Sequence, residues 1–204
     1  MGQLNHEHAI FLSAGVPDPS APHFEGEGDS AAIAAAVAAL LYVTLGRRQI
    51  VWGGHPAITP MVWAVADAMD VKYGDWVTLY QSAVFEDEFP EETAFFENVI
   101  VTKAVGTDRT ASLEIMRRRM IGENRFDAAV FIGGMRGIFD EHRLFVEHAP
   151  DAKILPVMST GGAAEKLGNK VHAAIEFLDE LDYVALFHHQ LGIDPNEPRS
   201  PQRG

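Results

Sequence analysis

The stretch Ala128-Ala129-Val130-Phe131-Ile132-Gly133-Gly134-Met135-Arg136-Gly137-Ile138-Phe139-Asp140-Glu141 decides the fold. Five apolar residues in a row stop at two glycines, and a third glycine opens a helical pattern with Ile138 and Phe145 on one face. An unbroken apolar run of this length reads as a strand buried on both sides, as in a parallel sheet covered by helices. The glycines remove the Cβ atoms that would keep a ligand off the backbone, and they leave N–H groups free to meet an anion.

The same unit recurs in both directions along the chain. Strands are expected near Ala9–Ala14, Ile50–Trp52, Trp76–Tyr80, Val99–Thr102, Ala128–Ile132 and Lys153–Val157. Helices are expected at Ser30–Leu45, Pro60–Met69, Glu91–Glu97, Thr110–Ile121, Ile138–His148 and Ala163–Leu167, with a last one over Val171–Leu191. Thr59 before Pro60 reads as an N-cap with proline in the first turn. Gly46, Gly74 and Gly122 stand where left-handed helix caps are wanted. Alternation of this kind predicts an α/β fold: a Rossmann-like, doubly wound, mainly parallel sheet with helices on both faces. One domain over residues 1–195 is expected, with Pro17–Asp29 as a loop and 196–204 as a disordered tail.

Composition narrows the partners. The 204 residues are 47% apolar and 22% charged, ordinary for a folded domain with its own core. There is no cysteine, so disulfides and thiolate metal sites are excluded. The net charge of −13 repels a polyphosphate backbone, so a nucleic-acid polymer is not an expected partner. A small anion remains compatible, because backbone N–H groups act at short range. Neither a secretory leader nor a run long enough to span a bilayer is evident, and a cytoplasmic protein without a membrane partner is expected.

In such a sheet, ligands bind beyond the C-terminal ends of the strands. The residues expected there are small and polar. They are Ser13 and Gly15 after the first strand, Gly53, Gly54 and His55 after the second, and Ser82 after the third. The fifth strand adds Gly133, Gly134, Met135, Arg136 and Gly137, and the sixth adds Thr160, Gly161 and Gly162. Two charges fall on apolar helix faces: Arg117, four residues past Leu113, and Glu141, three past Ile138. Such charges need partners. They either pair with each other (or Arg117 snorkels to the surface), or line the crevice, with Arg117 facing an anion and Glu141 a sugar hydroxyl or a proton. The remaining histidines lack zinc-binding spacing, and neither a metal nor a resident cofactor is expected. A Walker-type loop and a G-x-S-x-G elbow are absent. Gly26-Glu27-Gly28-Asp29-Ser30-Ala31 matches G-x-G-x-x-A, but about ten residues too late for a dinucleotide turn.

The run from Ala128 to Glu141 resembles the P-G-G-x-G-T-x-x-E motif of the lysine-decarboxylase-like (LOG) proteins. The order of glycine elements over residues 9–190 is similar to that of the wider SLOG superfamily. Gly53-Gly54-His55-Pro56 and Ser159-Thr160-Gly161-Gly162-Ala163-Ala164 look most like stand-alone or TIR/Sir2-associated members of bacterial defence systems. The resemblance implies one of two activities. LOG enzymes cleave the N-glycosidic bond of nucleoside monophosphates; Glu141 matches their motif glutamate and Arg117 their helix arginine, which would make these two catalytic. Defence-linked members bind NAD-derived signals such as ADP-ribose or cyclic ADP-ribose isomers and control an effector, here a separate partner protein. A homodimer is also implied. The motif proline is Ile132 here, one residue is inserted before Gly137, and the motif threonine is Ile138, which weakens the enzymatic carry-over. A nucleotide-binding sensor is therefore the leading expectation, with an N-ribosidic hydrolase as the alternative.

Overall fold

A computed structural model describes residues 9–200 except 22–23, 70, 72 and 174–175. Six strands form one sheet: β1 Ala9–Gly15, β2 Gln49–Trp52, β3 Val77–Ser82, β4 Val99–Thr102, β5 Phe126–Gly133 and β6 Lys153–Val157. Their order is β4-β3-β2-β1-β5-β6, and every pairing is parallel. The expected strands are therefore all present, and the sheet is wholly parallel across these pairs.

Period-two alternation divides the core in two. Ile10 and Leu12 of β1 face the same side as Ile50, Trp52 and Leu79. That side is covered by α1 (Ser30–Thr44), α2 (Thr59–Ala68) and α7 (Tyr183–Leu191), through residues such as Val37, Leu40, Val62 and Phe187. Ala9 and Phe11 face the other side with Val51, Tyr80 and Phe131. There α3 (Arg109–Gly122), α4 (Gly137–His148) and α5 (Gly162–Val171) contribute Met116, Met120, Phe145 and Leu167. Phe11 stacks on Phe145 at 5.5 Å, so β1 and α4 lock at the centre of this layer.

The chain begins in the middle of the sheet, winds outward to β4, then crosses back to add β5 beside β1. The connections leaving β1 and β5 diverge to opposite faces, which opens a crevice at the C-terminal ends of these two strands.

Local chemistry sets three of the helix starts. Asp29 accepts the N–H groups of Ala31 and Ala32, Asp108 that of Ala111 and Asp182 that of Ala185. Several expectations are corrected. Thr59 is already helical, and its hydroxyl donates to the His55 carbonyl instead of capping. Of the three expected left-handed glycine caps, only Gly46 has positive φ. Glu91–Phe95 is a 3₁₀ turn, as is the unexpected segment Ala83–Glu88. The single helix expected over Val171–Leu191 is interrupted: His172 is left-handed, α6 (Glu176–Asp179) is short, and Asp182 caps a new helix. Residues 174–175 of that expectation lie outside the described ones.

The segment expected to be a disordered tail makes specific contacts over 196–200. Arg48 pairs with Glu197 at 2.6 Å, the Ser200 N–H donates to the Gly46 carbonyl, and Arg199 donates to the Leu45 and Tyr42 carbonyls. Residues 201–204 lie outside the described set. Among the described residues, no helix is long and apolar enough to cross a membrane.

Candidate functional site

A cavity of about 390 Å³ opens at the divergence of β1 and β5 and extends over the end of β2 to β3. Its volume falls in the range of roughly 300–1,000 Å³ usual for small-molecule sites. Of the residues expected at the site, Ser13, Gly15, Gly53, Gly54, His55, Ser82, Arg117, Gly134, Met135, Gly137 and Glu141 line it.

Glu141 organises one end. It sits on the first turn and a half of α4, and its Oε2 accepts the Ser13 hydroxyl at 2.6 Å. Its Oε1 accepts Arg117 Nε from α3 at 3.1 Å. Arg117 also reaches Asp140 at 3.4 Å. The Arg117 and Glu141 side chains are only 14% and 15% exposed. The two charges therefore pair, and both also line the cavity. Gly137 makes this possible, because a Cβ there would lie 2.8 Å from Arg117 Nη2. No side chain caps α4; the N–H groups of Ile138, Phe139 and Asp140 donate instead to the Met135 and Arg136 carbonyls, so the Arg117 guanidinium is the positive charge at this end.

His55 stands between the glycine loops. Its Nδ1 accepts the Ala57 N–H at 3.2 Å, which leaves Nε2 to carry the proton of the neutral ring. Nε2 lies near Gly15, 3.4 Å from where a Cβ would be. Burial pushes the His55 imidazole below its ordinary pKa, and the nearby Glu141 charge opposes that push. The ring is therefore a neutral N–H donor at the cavity wall near pH 7.

The far end is apolar. Leu113 and Met116 of α3 line the cavity together with Phe85, Phe89 and Pro90, which lie in and beyond the 3₁₀ turn that follows β3. Arg109 lies over the Phe85 ring at 4.4 Å and pairs with Glu88 at the rim. Gly53 keeps the floor open, since a Cβ there would meet Met116 Cε at 3.3 Å. Ser82, fully buried, has no hydrogen-bond partner for its hydroxyl. Trp52, also a lining residue, has an unpartnered indole N–H. The aromatic wall at 85–90 was not anticipated from the sequence; its place directly after a strand end was the available signal.

Five expected residues lie away from the cavity lining. Arg136 is exposed at the start of α4. Thr160 Oγ1 accepts the Gly133 N–H at 2.9 Å and donates to the Val157 carbonyl, which ties the ends of β5 and β6 together. The N–H groups of Gly161, Gly162 and Ala163 are taken by the carbonyls of Met158, Glu27 and Gly134. Gly28 forms an antiparallel bridge with Gly161, so the loop after β1 covers this glycine pair. In this structure Gly133 and Thr160–Gly162 brace the scaffold, and their backbone donors are already spent. Among the described residues no group of acidic and histidine side chains is arranged to hold a metal ion.

A search among curated proteins finds no match. The family model described as the SLOG cluster3 family matches residues 23–191, which takes in the second part of the loop after β1 and every described element from α1 to α7. The glycine-rich strand ends, the wholly parallel sheet and the Arg117–Glu141 pair at its switch point thus occur in a chain that belongs to the SLOG cluster3 family and, with it, to the SLOG superfamily.

Proposed function

We propose that the cavity binds a small nucleotide-derived ligand, such as ADP-ribose, a cyclic ADP-ribose isomer or a related nucleotide, and that the protein acts as a sensor. Membership of the family suggests a nucleotide-related function in broad terms. The observation that supports the sharper reading is the polarity of the cavity. One end carries Arg117, Glu141 and Ser13; the other is walled by Phe85, Phe89, Leu113 and Met116. A nucleotide has the same two-part character, with a ribose phosphate at one end and a flat apolar base at the other.

Both oxygens of Glu141 already accept protein donors, yet each keeps a second lone pair. That suits a carboxylate which receives ribose hydroxyls in a fixed geometry. Arg117 supplies the positive charge that a phosphate pairs with. Signalling in bacterial defence, a homodimer and a separate effector protein belong to this proposal through the family resemblance alone.

The second reading is an N-ribosidic hydrolase, favoured by one feature: Glu141 occupies the position of the LOG motif glutamate and lies in the cavity. It would there stabilise positive charge developing on the ribose. Titration with AMP, other nucleoside monophosphates, NAD, ADP-ribose and cyclic ADP-ribose isomers, followed by mass analysis, separates the two. Intact recovery of a bound ligand supports the sensor, and release of free base supports the hydrolase.

A further inference from the structure

The polar groups at the ionic end of the cavity have partners, whereas Ser82 at the apolar end has none. Ser82 ends β3 and precedes the 3₁₀ turn Ala83–Glu88, a position where a serine hydroxyl ordinarily caps the turn. It makes no such cap bond. It is 0% exposed, lines the cavity, and its Oγ has no hydrogen-bond partner. A buried hydroxyl in that condition is a standing cost to the fold unless something else satisfies it.

Register places this hydroxyl relative to the ionic end. Leu12, Trp52 and Leu79 stand level across β1, β2 and β3. Ser13 is one residue beyond that level and Ser82 three, and both fall on the sheet face that α3 and α4 cover. Two strand spacings and two residues of rise separate them, so their Cα atoms stand roughly 12 Å apart. Gly53 directly follows the strand between, and its missing Cβ leaves the path clear. Phe85 and Phe89 flank the Ser82 end.

We propose that Ser82 is the specificity-determining contact for the ligand's base, hydrogen-bonding its polar edge while Phe85 and Phe89 hold its apolar faces. This rests on the nucleotide reading given above. The serine hydroxyl both donates and accepts, so it can pair with the ring nitrogens, carbonyls or amino groups of a base edge, and at roughly 12 Å from Ser13 it lies beyond a ribose 5-phosphate seated at the Arg117–Glu141 end. The Trp52 indole shares the opposite sheet face with Leu12 and Leu79 and is not needed for this contact.

The test compares wild type, Ser82→Ala and Glu141→Gln by calorimetric titration with ADP-ribose, cyclic ADP-ribose isomers, AMP, IMP, GMP, CMP, UMP and ribose 5-phosphate. Ser82→Ala is expected to weaken the preferred nucleotide about threefold to tenfold and leave ribose 5-phosphate unchanged, as loss of one neutral hydrogen bond requires. Its melting temperature without ligand should hold or rise, because an unsatisfied hydroxyl has gone. Glu141→Gln should weaken every member of the panel. Equal nucleotide affinity in wild type and Ser82→Ala, or an equal loss for ribose 5-phosphate, overturns the assignment and leaves the nucleotide reading standing. Wild type that binds no member of the panel overturns both.

Discussion

Arg117 and Glu141, 24 residues apart, meet at 3.1 Å through Nε and Oε1 at the point where α3 and α4 flank the start of the cavity. The pair does two jobs: it neutralises two largely buried charges, and it holds each side chain in one orientation toward the ligand space. Removing one member strands the other. Arg117→Met and Glu141→Gln are each expected to lower folding stability by about 1–3 kcal/mol. In the double variant the two losses should be less than additive. Denaturant unfolding of the four proteins checks this, and strict additivity would mean that the pair is not coupled.

Gly137 separates stability from binding. Its backbone is not left-handed, so alanine fits the helix start without strain. The new Cβ would nevertheless stand 2.8 Å from Arg117 Nη2. The flexible guanidinium gives way, so Gly137→Ala should change stability by less than about 1 kcal/mol. Ligand affinity should fall about tenfold, because the charge is re-aimed. Calorimetry and thermal melting on one preparation test both halves, and unchanged affinity would remove Gly137 from the account.

The opposite pattern is expected at Gly162. Its φ is +63°, and a Cβ would lie 2.8 Å from the Gly134 carbonyl oxygen, a backbone atom that cannot easily move. Gly162→Ala should cost about 1–3 kcal/mol of stability. Thr160→Val should cost a similar amount, since the Gly133 N–H loses its buried acceptor. Chemical denaturation measures both. Variants as stable as wild type but defective in binding would return these residues to the ligand site.

How much of this was legible in the sequence follows from the range of each interaction. The six strands could be read because each is a short apolar run ended by turn chemistry, and that signal is local. Ser13, Gly53, His55, Ser82 and Gly134 followed from the rule that sites lie beyond strand C-termini, and Glu141 from a charge on the apolar face of a helix. Gly161 and Gly162 looked equivalent to the other glycines, but the chain at Glu27 and Gly28 returns to occupy their N–H groups. A contact spanning more than 130 residues leaves no trace in local pattern. The wall at Phe85 and Phe89 was missed for a different reason: a 3₁₀ turn has neither the helical nor the strand period. The break near His172 was hidden because helical periodicity resumes in α7.

Protonation of His55 should be visible in stability. Burial holds its folded pKa below the usual value, and His142 is held down likewise by burial and by Lys170. The unfolded chain takes up these protons near pH 6.5, while the folded chain takes them up only at lower pH. Between the two pKa values the unfolded state binds more protons, so stability falls as pH drops. The melting midpoint should decline between about pH 7 and pH 5, and His55→Gln should flatten part of that decline. A pH dependence of the midpoint that is the same in wild type and His55→Gln contradicts the assignment of His55 as a neutral donor.

The most direct measurement of the central claim is calorimetric titration of wild type and Glu141→Gln with ADP-ribose, cyclic ADP-ribose isomers and AMP, with the ligand recovered for mass analysis. The account predicts that wild type binds at least one of them, returns it intact, and loses tenfold or more in affinity (about 1.4 kcal/mol) on Glu141→Gln. Absence of binding to wild type, or equal affinity in the two proteins, contradicts the claim that the Arg117–Glu141 cavity is a nucleotide site.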